Sequence, residues 1–425
     1  MNTLKNKLLA HPLFKNSAIV FAGSIGANAA GWLYHVFVGR ILGTESYGEL
    51  AALLSLFYIL NVPSGVIQTI LVKFFSVFKA ANEHGQAKRL IRITTVRIFF
   101  IEALGFIFVF FFSQAVASFL RIQSFWYVVW LYLIFATFMV GIVNGSAMQG
   151  FQLFTASGVL ATVGMTLRLV FGAGFAYFGV GWTLVSNIFS NSIAYGLSFI
   201  PLRFFAHIQE KPLTIKRKEA LGFSIPALIT TLGITLLFSQ DVLLVKHYFT
   251  SFEAGIYASL SVLGKVLFYA TGAVSFVLFP VVSERKASGE GHSRLVATGL
   301  FIIGMVCIGL TAFYFIAPQI VLVAFGKAFY GAAQYMGMFA IFMSFFSLSS
   351  ILVQTLLALD KVNVWIITTI CALLQTILLV LFHTTIFQVI GVNIAVSVGL
   401  FSSLLLYYVY GTAKTSSSLS HHSRP

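Results

Sequence analysis

Apolar residues run in long blocks separated by short polar breaks along the whole chain. A helix of about 20 apolar residues crosses the roughly 30 Å hydrocarbon core of a bilayer. The blocks predict twelve spans, near residues 17–39, 50–75, 93–113, 125–147, 153–178, 180–204, 221–246, 254–282, 295–317, 334–357, 364–386 and 388–411. Even the longer breaks, such as 205–220, are too short for a soluble domain. Recognition and chemistry therefore belong inside the membrane or at its faces. The block GVLATVGMTLRLVFGAGFAYF (158–178) raises the main question, because Arg168 sits at its middle.

A second, longer pattern overlies the first. FVGRILGTESYGELAALLSL (37–56) returns as LVKHYFTSFEAGIYASLSVL (244–263), each with a base leaving a span, a turn with an acid, and Gly opening the next span. MQGFQLFTASGVL (148–160) is echoed by LALDKVNVWIITT (357–369), and YFGVGWTLVSN (177–187) by IFQVIGVNIAVSV (386–398). The offset, about 207–210 residues, is half the chain, as two six-span repeats give. An even number of spans per half keeps both halves in one orientation. The expected organisation is an N-terminal six-helix lobe (1–204), a basic linker (205–220), a C-terminal six-helix lobe (221–411) and a polar, disordered tail (412–425).

Composition agrees: 59% of residues are hydrophobic, 9% are charged and 46 are Phe, which describes an all-α integral membrane protein. The net charge of +15 suggests nucleic acid until the bases are located. With the N-terminus inside, nineteen Lys and Arg fall in cytoplasmic breaks and only Arg40, Arg121, Lys246 and Lys327 fall outside. This positive-inside bias predicts a multi-pass protein of the cytoplasmic membrane with both termini cytoplasmic and no nucleic-acid partner. The basic N-terminus leads into an apolar run too long for a signal peptide, so an uncleaved first span is expected. Cys307 and Cys371 lie in apolar spans and read as small core residues. Gly264-Lys265 and Gly326-Lys327 are followed by Val and Ala, so neither is a P-loop, and HExxH and GxSxG are absent. The expectation is a transporter working without ATP hydrolysis, not an enzyme, with no cofactor or metal.

At GRILGTESYGELAAL, QGFQLF, YFGVGW and ALDKVNVW the sequence resembles the Wzx-type polysaccharide flippases of the multidrug/oligosaccharidyl-lipid/polysaccharide (MOP) exporter superfamily. The resemblance covers essentially the whole chain. It implies a V-shaped pair of six-helix lobes around a central cavity and a lipid-linked oligosaccharide as substrate. Membrane lipids, and glycosyltransferases or a polymerase of the same pathway, are the implied partners. Lipid II flippases of the superfamily usually carry two further spans, for which this chain has no room. The alternative is a multidrug-and-toxin extrusion (MATE) antiporter for organic cations, although a cation site favours acids over the bases buried here. A membrane scaffold without transport explains the repeat poorly.

Charges deep in a membrane helix cost about 2.5–3.5 kcal/mol on insertion scales and usually face a bundle interior or a wet cavity. Arg168 and Lys265, both mid-span, are the leading candidates to hold the phosphates of a polyprenyl-diphosphate sugar. The plainer alternative for Arg168 is a pair with Glu102 or with a backbone carbonyl. Repeat offsets align Arg168 with about Leu378 and Lys265 with about Tyr58, so neither charge belongs to the shared scaffold. Arg97, about one turn inside its span, is a third substrate candidate for which snorkelling is the simpler reading. Asp241 aligns near His35, and a carboxylate and an imidazole at matched positions suit a coupling proton or an outer gate. Pairing of Asp241 with Lys246 or His247 is equally open. Glu102 is the other candidate for a coupling ion, H+ or Na+, with a salt bridge as its alternative. Arg40 at the outer interface is a gating candidate, although topology alone accounts for it. Pro63, Gly65, Pro226 and Pro280 are candidate bends.

Overall fold

A computed structural model describes residues 12–213, 224–287, 293–359, 361 and 363–422. Residues 214–220 of the expected linker lie outside them. In lipid a backbone must satisfy its own polar groups, so spanning segments without a closed barrel are helical. Twelve long helices result among the described residues. They are α1 (Pro12–Leu60), α2 (Val62–Ala80), α3 (His84–Phe119), α4 (Trp126–Gly150), α5 (Phe154–Ala176) and α6 (Val180–Ser198). The series continues as α7 (Ser224–Tyr248), α8 (Ser251–Ala287), α9 (Ser293–Ile316), α10 (Ala333–Ala358), α11 (Val364–Leu381) and α12 (Ile386–His422). Ten stretches among the described residues are long and apolar enough to cross a membrane. Glycine, serine and asparagine dilute α1 and α6, which are outside that set and whose polar atoms are used below.

Two helix boundaries differ from the expected spans. Helix α1 is two helices joined at Gly43, whose φ of 74° and ψ of 177° lie where a side chain is disfavoured. The second span is interrupted again at Asn61, and Pro63 occupies the first turn of α2, where no helical N–H is lost. Pro226 is the third described residue of α7. Helix α12 runs to His422.

The chain forms two compact units, Met1–Gly222 and Phe223–Pro425. In the first, α1 packs along α5, α4 packs on α2, α3 and α6, and α5 packs on α6. In the second, α7 packs along α11, α10 packs on α8, α9 and α12, and α11 packs on α12. The same packing scheme therefore recurs helix for helix. Small residues allow the closest approach, as is usual between membrane helices. A Cβ on Gly23 would lie 2.8 Å from the Gly158 Cα, and one on Gly26 would lie 3.2 Å from Thr162. Gly233 meets Thr368 in the same way, at 3.0 Å. Gly23→Leu is expected to lower the apparent unfolding midpoint of the purified protein by forcing α1 from α5, an overpacking cost of about 1–3 kcal/mol. Gly174→Ala, where nothing lies within 4 Å, is expected to leave the midpoint unchanged.

Candidate functional site

In the second unit a buried polar network joins α7, α8, α11 and α12. Asp241 Oδ2 accepts from the Tyr257 hydroxyl at 2.6 Å and from Asn393 Nδ2 at 3.2 Å, and Oδ1 accepts from the Val242 N–H at 2.9 Å. Asn393 Oδ1 accepts from Gln375 Nε2 at 2.7 Å, and Gln375 Oε1 accepts from Gln240 Nε2 at 2.6 Å. Thr376 Oγ1 donates to Gln240 Oε1 at 2.8 Å. Asp241 is 1% exposed and Tyr257, Gln375 and Asn393 are fully buried, so every donor and acceptor in this chain needs its partner. Lys265 completes the site. Its ammonium lies 4.4 Å from the centroid of the Phe238 ring and interacts electrostatically with Asp241.

The first unit builds a different site on the same frame. Tyr34 of α1 is fully buried and accepts from Asn187 Nδ2 of α6 at 3.2 Å. The Arg168 guanidinium of α5 sits over the Tyr34 ring, 4.6 Å from its centroid, in cation–π geometry. Arg168 Nε is buried without a hydrogen-bond partner, and the side chain interacts electrostatically with Tyr58. Gly172 makes room for this arrangement, since a Cβ there would collide with the Tyr34 ring. Across the Gly43 break, His35 Nδ1 meets the Tyr47 hydroxyl at 3.1 Å.

Repeated contacts supply the register that sequence offsets left approximate. Gly26 and Gly233 are 207 residues apart, and their partners Thr162 and Thr368 are 206 apart. By the same steps Tyr34 corresponds to Asp241, Tyr58 to Lys265 and Asn187 to Asn393. The Asn187–Tyr34 bond and the Asn393–Asp241 bond are thus one contact made twice. Two refinements follow. The counterpart of Asp241 is Tyr34, next to His35, and that of Arg168 is Leu374, one turn from Leu378. Each unit places one cation beside the matched Tyr34 and Asp241 positions, from α5 in the first and from α8 in the second. Lys265 faces an acid, whereas Arg168 faces aromatic rings.

Residues 37–334 match a family described as polysaccharide biosynthesis protein. The chain belongs to this family. Among solved structures, this polysaccharide biosynthesis protein is similar to an inward-facing multidrug resistance MATE family transporter of the MOP superfamily. Identity is 12%, coverage 94% of this chain and 96% of that one, and the TM-score 0.70. It is also similar to the lipid II flippase MurJ in an inward closed conformation, at 13% identity, 93% and 87% coverage and a TM-score of 0.65. A MATE transporter of Vibrio cholerae, VcmN, gives 15% identity, 95% and 96% coverage and a TM-score of 0.67. These likenesses establish the fold of the MOP superfamily. No curated protein sequence matches the chain. The polysaccharide biosynthesis protein is thus a multi-pass membrane protein with the fold shared by MATE transporters and MurJ.

The remaining candidates of this family member lie apart from both clusters. The Glu102 carboxylate on α3 accepts from the Tyr132 hydroxyl at 2.7 Å, while Arg168 rests on Tyr34, so the suspected Glu102–Arg168 pair is replaced by two separate aromatic contacts. Arg97 is exposed on α3 beside exposed Val96, Phe99 and Phe100, which is the setting for snorkelling. Arg40 is exposed near the Gly43 break. Lys246 is 2% exposed and donates to Ser251 Oγ at 3.2 Å, and Asp241 keeps its own partners. Glu49, which the hydrophobic pattern left outside the second span, is buried within α1. Gln240, Tyr257, Gln375 and Asn393 had no local motif, but each is a polar interruption in an apolar run.

Proposed function

We propose that this polysaccharide biosynthesis protein is a flippase of the cytoplasmic membrane. It moves a polyprenyl-diphosphate-linked oligosaccharide from the inner to the outer leaflet by alternating access, without ATP hydrolysis and with both termini in the cytoplasm. The observation that carries this reading is Arg168, a cation inside the first unit that rests on aromatic rings and keeps a buried, unused N–H. Guanidinium matches phosphate oxygens bidentately, and a ring beneath it leaves its edge available. The second unit supplies coupling. H+ or Na+ arriving at the Asp241 carboxylate changes the charge that Lys265 meets within that unit. Glycosyltransferases or a polymerase that make and consume the lipid-linked glycan are the expected pathway neighbours.

The MATE-like fold supports a second reading, an organic-cation antiporter, for which Asp241 is the available acid. Reconstitution into liposomes distinguishes the two. The flippase reading predicts movement of a fluorescent polyprenyl-diphosphate sugar across the bilayer and little efflux of a cationic dye. Strong dye efflux with no lipid movement assigns the chain to the antiporters.

A further inference from the structure

Helices α3 and α6 both pack on α4 and leave a groove between them in the first unit. Two stretches of it, of about 470 and about 620 Å³, meet at Tyr195. The deeper stretch is walled mainly by Phe99, Phe106, Leu133 and Val140, and its lining also holds Glu102 and Tyr132, hydrogen-bonded to each other. The other opens at the basic end, where Lys88, Arg92 and Arg203 line it with a single acid, Glu210. Lys88 Nζ donates to the carbonyls of Ala206 and Ile208 at 3.1 and 2.8 Å, and Arg92 pairs with Glu210 at 3.0 Å. Arg203 is exposed, and three bases against one acid leave the mouth with two positive charges in excess.

Between the basic mouth and the apolar depth lie two buried polar atoms without partners, Thr95 Oγ1 and Asn144 Oδ1. The orientation of the Asn144 amide is set. Ser198 Oγ donates to the Tyr195 carbonyl at 2.5 Å, so it must accept from Asn144 Nδ2 at 2.8 Å, which turns Oδ1 the other way. At 1.5 Å per helical residue, Thr95 stands about 10 Å along α3 from Lys88, and Phe99 and Phe106 follow it. Charge, then uncharged polar atoms, then hydrocarbon is the order along a phospholipid from phosphate through glycerol esters to acyl chain. Basic pockets between membrane helices on the positively charged side bind anionic headgroups.

We propose that this groove binds one anionic glycerophospholipid. Its phosphate lies at Lys88, Arg92 and Arg203, its ester carbonyls accept from Thr95, and ester-held water serves Asn144. One acyl chain runs past Tyr195 to Phe106. The site is separate from the Arg168 cluster and stands whether or not the transported substrate is a lipid-linked glycan.

The test is native mass spectrometry of the purified full chain with phosphatidylglycerol and phosphatidylcholine supplied at equal concentration. The wild type is expected to retain one phosphatidylglycerol in at least fivefold preference. Arg203→Gln changes an exposed side chain and is expected to lower that retention about fivefold, the equivalent of about 1 kcal/mol for one surface charge. Thr95→Val is expected to weaken both lipids while preserving their ratio, and Ala103→Trp to exclude both. An unchanged unfolding midpoint for Arg203→Gln keeps its result interpretable. Equal retention of the two lipids, or no effect of Arg203→Gln, overturns the proposal. So does displacement of phosphatidylglycerol by an equal concentration of polyprenyl phosphate, which instead assigns the groove to the carrier lipid.

Discussion

Arg168→Leu is expected to slow transbilayer movement of the polyprenyl-diphosphate sugar by about 10- to 100-fold at low substrate concentration. That range corresponds to one charge-assisted hydrogen bond of about 1.5–3 kcal/mol. Leucine is the appropriate replacement because the matching position in the other unit is Leu374, on a helix packed against its neighbours in the same way. The α5 backbone therefore has no need of the charge, and the unfolding midpoint is expected to hold or rise as the orphaned Nε is removed. Arg168→Lys keeps the positive charge and loses the bidentate fork, so an intermediate rate is expected. Initial rates in liposomes at matched protein density measure both variants. Wild-type rates for Arg168→Leu would remove Arg168 from substrate binding and leave the Tyr34 contact as its whole role.

Asp241→Asn is expected to have the largest effect on stability. The carboxylate accepts from Tyr257, Asn393 and Val242, and an amide presents one oxygen and two further donors to the same shell. It also removes the negative charge with which the 7% exposed Lys265 ammonium interacts. Removing one partner of a buried pair costs about 3–5 kcal/mol. The apparent unfolding midpoint of the purified protein is expected to fall accordingly. Adding Lys265→Met is expected to recover most of the loss, since replacing both partners of a buried pair is often neutral. Transport tells the two variants apart from a purely structural role. In both, the rate is expected to lose its dependence on an imposed proton or sodium gradient, even where stability has been regained. A double variant no more stable than Asp241→Asn would mean that the two side chains do not act as a pair. Gradient dependence retained in the double variant would take coupling away from Asp241.

Much of this architecture is written in local pattern. Runs of apolar residues dictate membrane helices because the bilayer offers the backbone no other solution, and all twelve long helices fall on predicted spans. Single residues account for the exceptions. Gly43 turns the chain inside α1, and Pro63, expected as a bend, starts a helix instead. The repeat was legible at 37–56 and 244–263, yet its register on α11 was one turn out. Helix α5 is longer than α11, so an offset taken from the α5 start drifts, whereas the Thr162 and Thr368 contacts pin it. The candidate site was only half visible. Arg168, Lys265 and Asp241 stand out because a charge in an apolar run is costly. Gln240, Tyr257, Gln375 and Asn393 do not, because each is tolerable alone and acquires a role only when four helices bring them together; Tyr34 likewise acquires one only when α5 and α6 pack on α1. Asn187 and Asn393 carried the one available hint, lying 206 residues apart on matching helices.

The central claim is that the first unit reads the negative charge of its cargo through Arg168. It is tested most directly by comparing, in the same wild-type liposomes, one fluorescent oligosaccharide on a polyprenyl diphosphate and on an uncharged polyprenyl ether. The account predicts rapid movement of the diphosphate, little movement of the ether, and loss of that difference in Arg168→Leu. Equal rates for both lipids in the wild type, or a difference that survives Arg168→Leu, would contradict it.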